Sequence, residues 1–169
     1  MPPTEIRVPQ GLTTEGLLAR RYIARFADSL VLLVLAAVVE LAIASALRLS
    51  ADAIGLLMLP VLLVLWIGYG AALESSPWQA TVGKKLLGLR VFDLGGGRIS
   101  FGRALGRSAV KDGPFLLFSL LPGGQLLSLA WLAAHIVVMH RSQVNQAIHD
   151  RTMSTLVAAR EETTQLHLT

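Results

Sequence analysis

Two apolar runs set the terms for this chain. Residues 23–47 and 53–73 are each long enough to cross a hydrocarbon core of about 30 Å, which takes about 20 helical residues. Of the 169 residues, 53% are hydrophobic and 15% are charged, against about 25% charged residues in a soluble domain. The oil is gathered in blocks, so it reads as membrane spans. One membrane domain is expected over residues 17–158, between a flexible N-terminal tail at 1–16 and a polar C-terminal tail at 159–169.

The first twenty residues are polar and hold Pro2, Pro3, Pro9 and Gly11. The apolar run after them exceeds the roughly 7–15 residues of a signal-peptide core, so it is expected to persist as span one. Thr14 is placed to cap a helix that starts near Leu17. Span one then covers residues 21–47. Span two covers residues 53–73 and is expected to kink at Pro60.

Residues 113–139 are apolar but broken by Pro122, Gly123 and Gly124. Read as one broken span, they give three spans. Read as a helical hairpin turning at Pro-Gly-Gly, they give four embedded helices. In the hairpin, Arg141, Arg151 and Arg160 share a side with Lys84, Lys85, Arg90, Arg98, Arg103, Arg107 and Lys111. The positive-inside rule favours that arrangement, with both termini cytoplasmic and the protein in the cell membrane.

The polar centre, residues 74–112, carries the rest of the pattern. Residues 89–100 read as a short cytoplasmic β-hairpin, in which Val91 and Phe92 favour a strand and Gly95 to Gly97 a turn. Residues 101–112 read as an amphipathic helix, with Phe101, Ala104, Leu105 and Ala109 on one side and Arg103, Arg107 and Lys111 on another. The expected fold class is an all-α membrane protein: a small helical bundle with three to four membrane-embedded helices and that hairpin.

The net charge of +4 would suggest nucleic acid in a soluble protein. Here the basic residues lie between apolar blocks and are not interleaved with aromatic ones, so anionic membrane lipid is the expected partner and nucleic acid is not. Lys84, Lys85, Arg103 and Arg107 are the expected headgroup contacts, with Trp78 as an interfacial anchor. Cysteine is absent, which excludes disulfides, thiolate metal sites and thiol catalysis.

Charges within the oil mark the candidate site. A charge at a helix centre costs about 2.5–3.5 kcal/mol on insertion scales, and less near an end. Asp28 sits near the start of span one, after Arg21 and Arg25. Seven residues at about 100° each return to within about 20°, so Arg21 and Asp28 share a face, and Arg25 can reach Asp28 directly. Glu40 lies deeper, on another face, close to the far headgroups. Two readings stand side by side: a polar ion or ligand path, or charges that lock helices together.

Other motifs fail their chemical tests. Gly83-Lys84-Lys85 lacks the glycine and the hydroxyl of a phosphate loop, and Gly95 to Gly97 lack the third glycine of a dinucleotide fingerprint. There is no Gly-x-Ser-x-Gly elbow. His135 and His140 are five residues apart, off the spacing that puts two metal ligands on one helix face. No catalytic set, metal site or cofactor is expected, and His135 reads as a hydrogen-bonded histidine of a core or pore.

Three strings in order carry a resemblance. RRYIARFAD opens span one, TVGKKLLGLRVFDLGGGRISFGRALGR fills the centre, and NQAIHDRTMSTLV closes the chain. Together they resemble the RDD family of membrane proteins over roughly residues 17–157. The resemblance puts the family arginine on Arg21, its first aspartate on Asp28, and its second on Asp150, with Asp93 as the alternative. Arg25 and Val82 depart from the pattern, where an apolar residue and a proline are usual. Transport of an ion or small ligand is what the resemblance implies, by a site of Arg21, Asp28 and Asp150 with Arg25 and Glu40. So small a bundle implies a homo-oligomer or a partner membrane subunit. The alternative is a non-transporting scaffold that binds anionic lipid or another subunit, with Asp150 locking the tail to the basic layer.

Overall fold

The protein is described by a computed structural model covering residues 7–48 and 50–161. The tail expectations for residues 1–6 and 162–169 lie outside the described residues. The elements in order are β1 (Leu12–Thr13), α1 (Leu18–Leu47), α2 (Ala51–Glu74), α3 (Val82–Leu86), β2 (Arg90–Asp93), α4 (Phe101–Phe118), α5 (Gly124–His140), α6 (Ile148–Thr152) and β3 (Thr155–Arg160).

The two apolar runs form α1 and α2, each long and apolar enough to cross a membrane. Only 6% of the apolar window of α1 and 17% of that of α2 is buried inside the protein. A core helix of a soluble fold would be buried, so these side chains are matched to an apolar surround. Helix α1 starts later than a Thr14 cap would allow. Gly16 turns the chain at φ +64°, Leu17 takes the N-cap position, and its side chain makes no capping bond. Helix α2 is capped by Ser50, whose Oγ accepts from the Ala53 amide, and it runs on through Pro60.

The third apolar stretch folds back on itself at Pro-Gly-Gly. Helix α4 ends at Phe118 and α5 starts at Gly124. A side chain at Gly124 would run into the Phe118 carbonyl, so glycine is what lets the corner close. The stretch therefore forms two helices joined at that corner. Helix α4 continues through Pro114, joining the amphipathic segment to the first apolar limb.

The expected β-hairpin is replaced by a three-stranded sheet of order β1-β3-β2. Strand β2 forms where Val91 and Phe92 favour it, and its turn is present: Asp93 Oδ1 accepts from the amides of Gly95 and Gly97. The returning segment leaves the sheet, because Ile99 is buried in the core and Ser100 caps α4. The partner of β2 is β3, antiparallel, with Val91 opposite Val157 and Phe92 opposite Leu156. On the other side of β3, Leu12 and Thr13 of β1 pair with Arg160 and Ala159, within stretches expected to be tail.

The sheet alternates between two packing faces, as pleated strands do. Val91, Val157 and Ala159 pack on Leu17, Ala24, Ala71 and Ala104 of the helices. Phe92, Leu156 and Ala158 pack on Val144, Val8 and Leu12. Residues 12–13, 90–93 and 155–160 thus meet at one end of the helical bundle, the sheet end.

Helix α4 departs from the expected amphipathic sense. Its buried residues are Ala104, Arg107, Ser108 and Asp112, while Phe101 and Leu105 are exposed. Arg107 and Lys111 of its basic stripe turn inward while Arg103 stays exposed, and the inward pair contributes to the candidate site.

Candidate functional site

Asp28 is held by neutral donors and makes no ion pair among the described residues. Its Oδ1 accepts from Tyr69 Oη at 2.7 Å and from the Gly83 amide at 2.8 Å, and its Oδ2 accepts from Thr81 Oγ1. Tyr69 Oη also accepts from the Val82 amide at 3.1 Å. One carboxylate on α1 therefore fixes α2 and the start of α3. The approach is close: a side chain at Gly83 would meet the carbonyl of Ala24. Arg25 does not reach Asp28 as expected. It donates to Asp112 of α4, a buried carboxylate that also has Lys111 Nζ at 3.3 Å.

Arg21 meets Asp150 at 2.5 Å and also donates to the Asn145 carbonyl. Arg107 donates to the same aspartate through Nε and Nη2, and to Glu74 through Nη1. Glu74 in turn accepts from Lys84. The result is a chain of alternating charge with one member from each of five helices: Arg21 (α1), Asp150 (α6), Arg107 (α4), Glu74 (α2) and Lys84 (α3). Asp150 further accepts from the Ala147 amide at 2.9 Å, fixing the start of α6. Burial alone would raise the pKa of Asp150, but Arg21 and Arg107 more than offset it and hold the group well below the usual carboxylate range. Burial pushes the Lys84 ammonium down to about 8, against the pull of Glu74.

This corrects two of the expected headgroup contacts. Arg107 is 1% exposed and Lys84 is largely enclosed, and both spend their charge inside the protein. Lys85 and Arg103 are exposed, and Lys85 Nζ sits 3.3 Å from the centre of the Trp78 ring, a cation–π contact. Glu40 lies on an exposed part of α1, away from the cluster, and makes no ion pair among the described residues. Asp93 also lies apart, in its glycine turn.

Between α1, α4, α5 and α6 lies a cavity of about 140 Å³. Arg21, Arg25, Lys84, Arg107 and Lys111 line it beside Asp28, and Phe115, Leu132, Ile136 and Met139 form its apolar wall. His135 and His149 also line it and stack on each other, with ring centres 5.2 Å apart. His135 Nδ1 lies 3.1 Å from the Trp131 carbonyl, but its Nε2 has no hydrogen-bond partner among the described residues, and neither has His149 Nδ1. Burial pushes His149 well below its ordinary pKa, against the pull of Asp150, so it is neutral at pH 7.

Sequence reasoning grouped Arg21, Asp28 and Asp150 in one candidate site. It passed over Glu74, Asp112, Tyr69 and Thr81. A signal was present for two of these: Glu74 and Asp112 are acids set against the ends of apolar runs, where an unpaired charge would be costly.

No curated protein and no solved structure matches this sequence. The model of the RDD family matches residues 16–154, a stretch that holds all five members of the charge chain, and the protein belongs to the RDD family.

Proposed function

We propose that the protein is a polytopic component of the cell membrane that binds an ion or small ligand in the chamber between α1, α4, α5 and α6 and takes part in its passage. The chamber carries this reading. It has about 140 Å³ of space, a basic and an apolar wall, and two buried imidazole nitrogens with no hydrogen-bond partner among the described residues. Buried polar nitrogens are ordinarily hydrogen-bonded, so two left open on one cavity suit a bound ligand. The basic residues gathered at the sheet end support a cytoplasmic location for that end and for both chain termini.

Purified protein in liposomes loaded with pH, Na⁺ or anion indicators tests the reading. Flux above empty liposomes that falls in Arg25→Gln supports it. Flux equal to empty liposomes across all these indicators removes transport. Reporter fusions at Gly96 and after Thr169 test the topology, and both are expected on the cytoplasmic side.

A second reading is a non-transporting scaffold, and the saturation of Asp28 favours it. Three hydrogen bonds to neutral donors leave that carboxylate a joint between elements. The exposed apolar face of α1, with Leu33, Val34, Val38 and Leu41, would then meet lipid, a second copy or a partner subunit. This reading expects Asp28→Asn to lower stability and subunit recovery in mild detergent, with no flux from the wild type.

A further inference from the structure

The ligand class follows from how the chamber is built, and the inference rests on the ligand-binding reading above. Its charges do not cancel. Five cations (Arg21, Arg25, Lys84, Arg107, Lys111) stand against four carboxylates (Asp28, Glu74, Asp112, Asp150), which leaves one positive charge in excess. Arg25 and Lys111 share the single carboxylate of Asp112. Arg25 has one side-chain hydrogen bond, so most of its N–H donors are uncommitted, and Lys111 Nζ makes none among the described residues. The unpartnered His149 nitrogen belongs to a side chain that is 9% exposed, and His149 lines the same space. This end suits one negative charge.

The remaining wall suits a chain. Phe115 of α4 and Leu132 and Ile136 of α5 lie further from the sheet end than Arg21 and Arg107, so the lining passes from basic to apolar along the helices. About 140 Å³ is close to the size of an apolar cavity that holds benzene, enough for a headgroup and a few methylenes. The rest of a longer chain must leave the cavity. Tyr22 (39% exposed), the Arg25 side chain (39%) and Leu132 (45%) all line the chamber and also reach the surface, which opens it sideways between α1 and α5.

We infer that the chamber binds a long-chain carboxylate, entering from the lipid between α1 and α5 with its headgroup toward Arg25 and Lys111 and its chain along Phe115, Leu132 and Ile136. A monoanion matches the single excess charge. A phosphate monoester, at about −1.5 to −2, exceeds it.

The test uses the full chain in detergent with Trp66→Phe and Trp78→Phe, leaving Trp131. That ring lies edge-on to His135, 4.7 Å between centres, beside the apolar wall. Bromine-labelled stearate is expected to quench Trp131 saturably, and its methyl ester to do so at least tenfold more weakly. Arg25→Gln with Lys111→Gln is expected to weaken stearate about tenfold or more. Ile136→Trp (in this background with Trp131 kept and stearate binding read by competition with a labelled fatty acid) fills the wall without touching a charge, and is expected to weaken stearate while retaining thermal stability. Equal quenching by acid and ester, or no saturable quenching in a folded protein, overturns the inference. Thermal stabilisation by inorganic phosphate or acetate without a response to stearate also overturns it, yet leaves the ligand-binding reading standing.

Discussion

Arg107 grips Asp150 by two of its nitrogens and reaches Glu74 with the third, so a single guanidinium on α4 ties α6 to α2. All three side chains are essentially sealed from solvent. The arrangement separates two questions that a charge in an oily helix raises together, namely what holds the bundle and what enters it.

The first prediction concerns the joint. Removing one partner of a buried ion pair leaves the other uncompensated and costs about 3–5 kcal/mol. Asp150→Asn leaves Arg21 and Arg107 against a neutral group, and a destabilisation of that order is expected. Arg103→Gln, at an exposed position on the same helix as Arg107, is expected to stay within about 0.5 kcal/mol. Thermal unfolding in one detergent compares the two. Equal melting temperatures would refute the assignment.

Gly83 gives a sharper steric test. Its amide donates to Asp28, and its Cα lies against the backbone of Ala24, which cannot swing aside as a side chain tip can. Gly83→Ala is expected to cost about 1–3 kcal/mol through overpacking. Gly102→Ala meets nothing within 4 Å and is expected to be neutral or to stabilise α4 slightly.

Asp28→Asn keeps shape and removes acceptor capacity. Both carboxylate oxygens accept, so an amide nitrogen placed at either one faces a donor. The expected loss is about 1–3 kcal/mol, typical of an unsatisfied buried group. A melting temperature equal to wild type would mean that the end of α2 and the start of α3 are held by other contacts.

Lys84 gives the chamber a pH dependence. With its pKa pushed down to about 8, the ammonium is charged below that pH and neutral above it. Glu74, Arg107 and Lys111 set its surroundings. Losing this charge removes the excess of one, so anion binding is expected to be strong at pH 7 and to fall as pH rises through 8. Lys84→Arg is expected to flatten the profile between pH 7 and 9, because guanidinium stays protonated. Titrating ligand affinity in both proteins decides the matter, and a wild-type profile that rises with pH would refute it.

Much of the helical frame was legible because hydropathy is a property of long windows. The two long apolar helices needed only composition, and the break between α4 and α5 is marked by Pro122, Gly123 and Gly124. Pairing across distance was less legible. Val91 and Phe92 announce a strand but not its partner, which lies more than 60 residues on in β3. The turn glycines suggested a local return that Ile99 and Ser100 do not make. The basic stripe of α4 misled for a physical reason. In water the polar side of a helix faces out, but beside an apolar phase Arg107 and Lys111 of the same stripe turn in, and the carboxylates that meet them come from α2, α6 and α4 itself. Asp28 was found by its cost and misjudged in its partners, since a tyrosine, a threonine and a backbone amide carry no sequence mark.

The central strand β3 is synthesised after both of its neighbours, and Asp150 after every cation it pairs with. A nascent chain that has made α1 to α5 therefore carries Arg21 and Arg107 without their shared counterion, and β1 and β2 with no strand between them. The bundle behaves like a purse whose drawstring is threaded last. A molecule whose last sixth is missing or misplaced thus leaves two strand edges unpaired and leaves Arg107, otherwise sealed from solvent, without its aspartate.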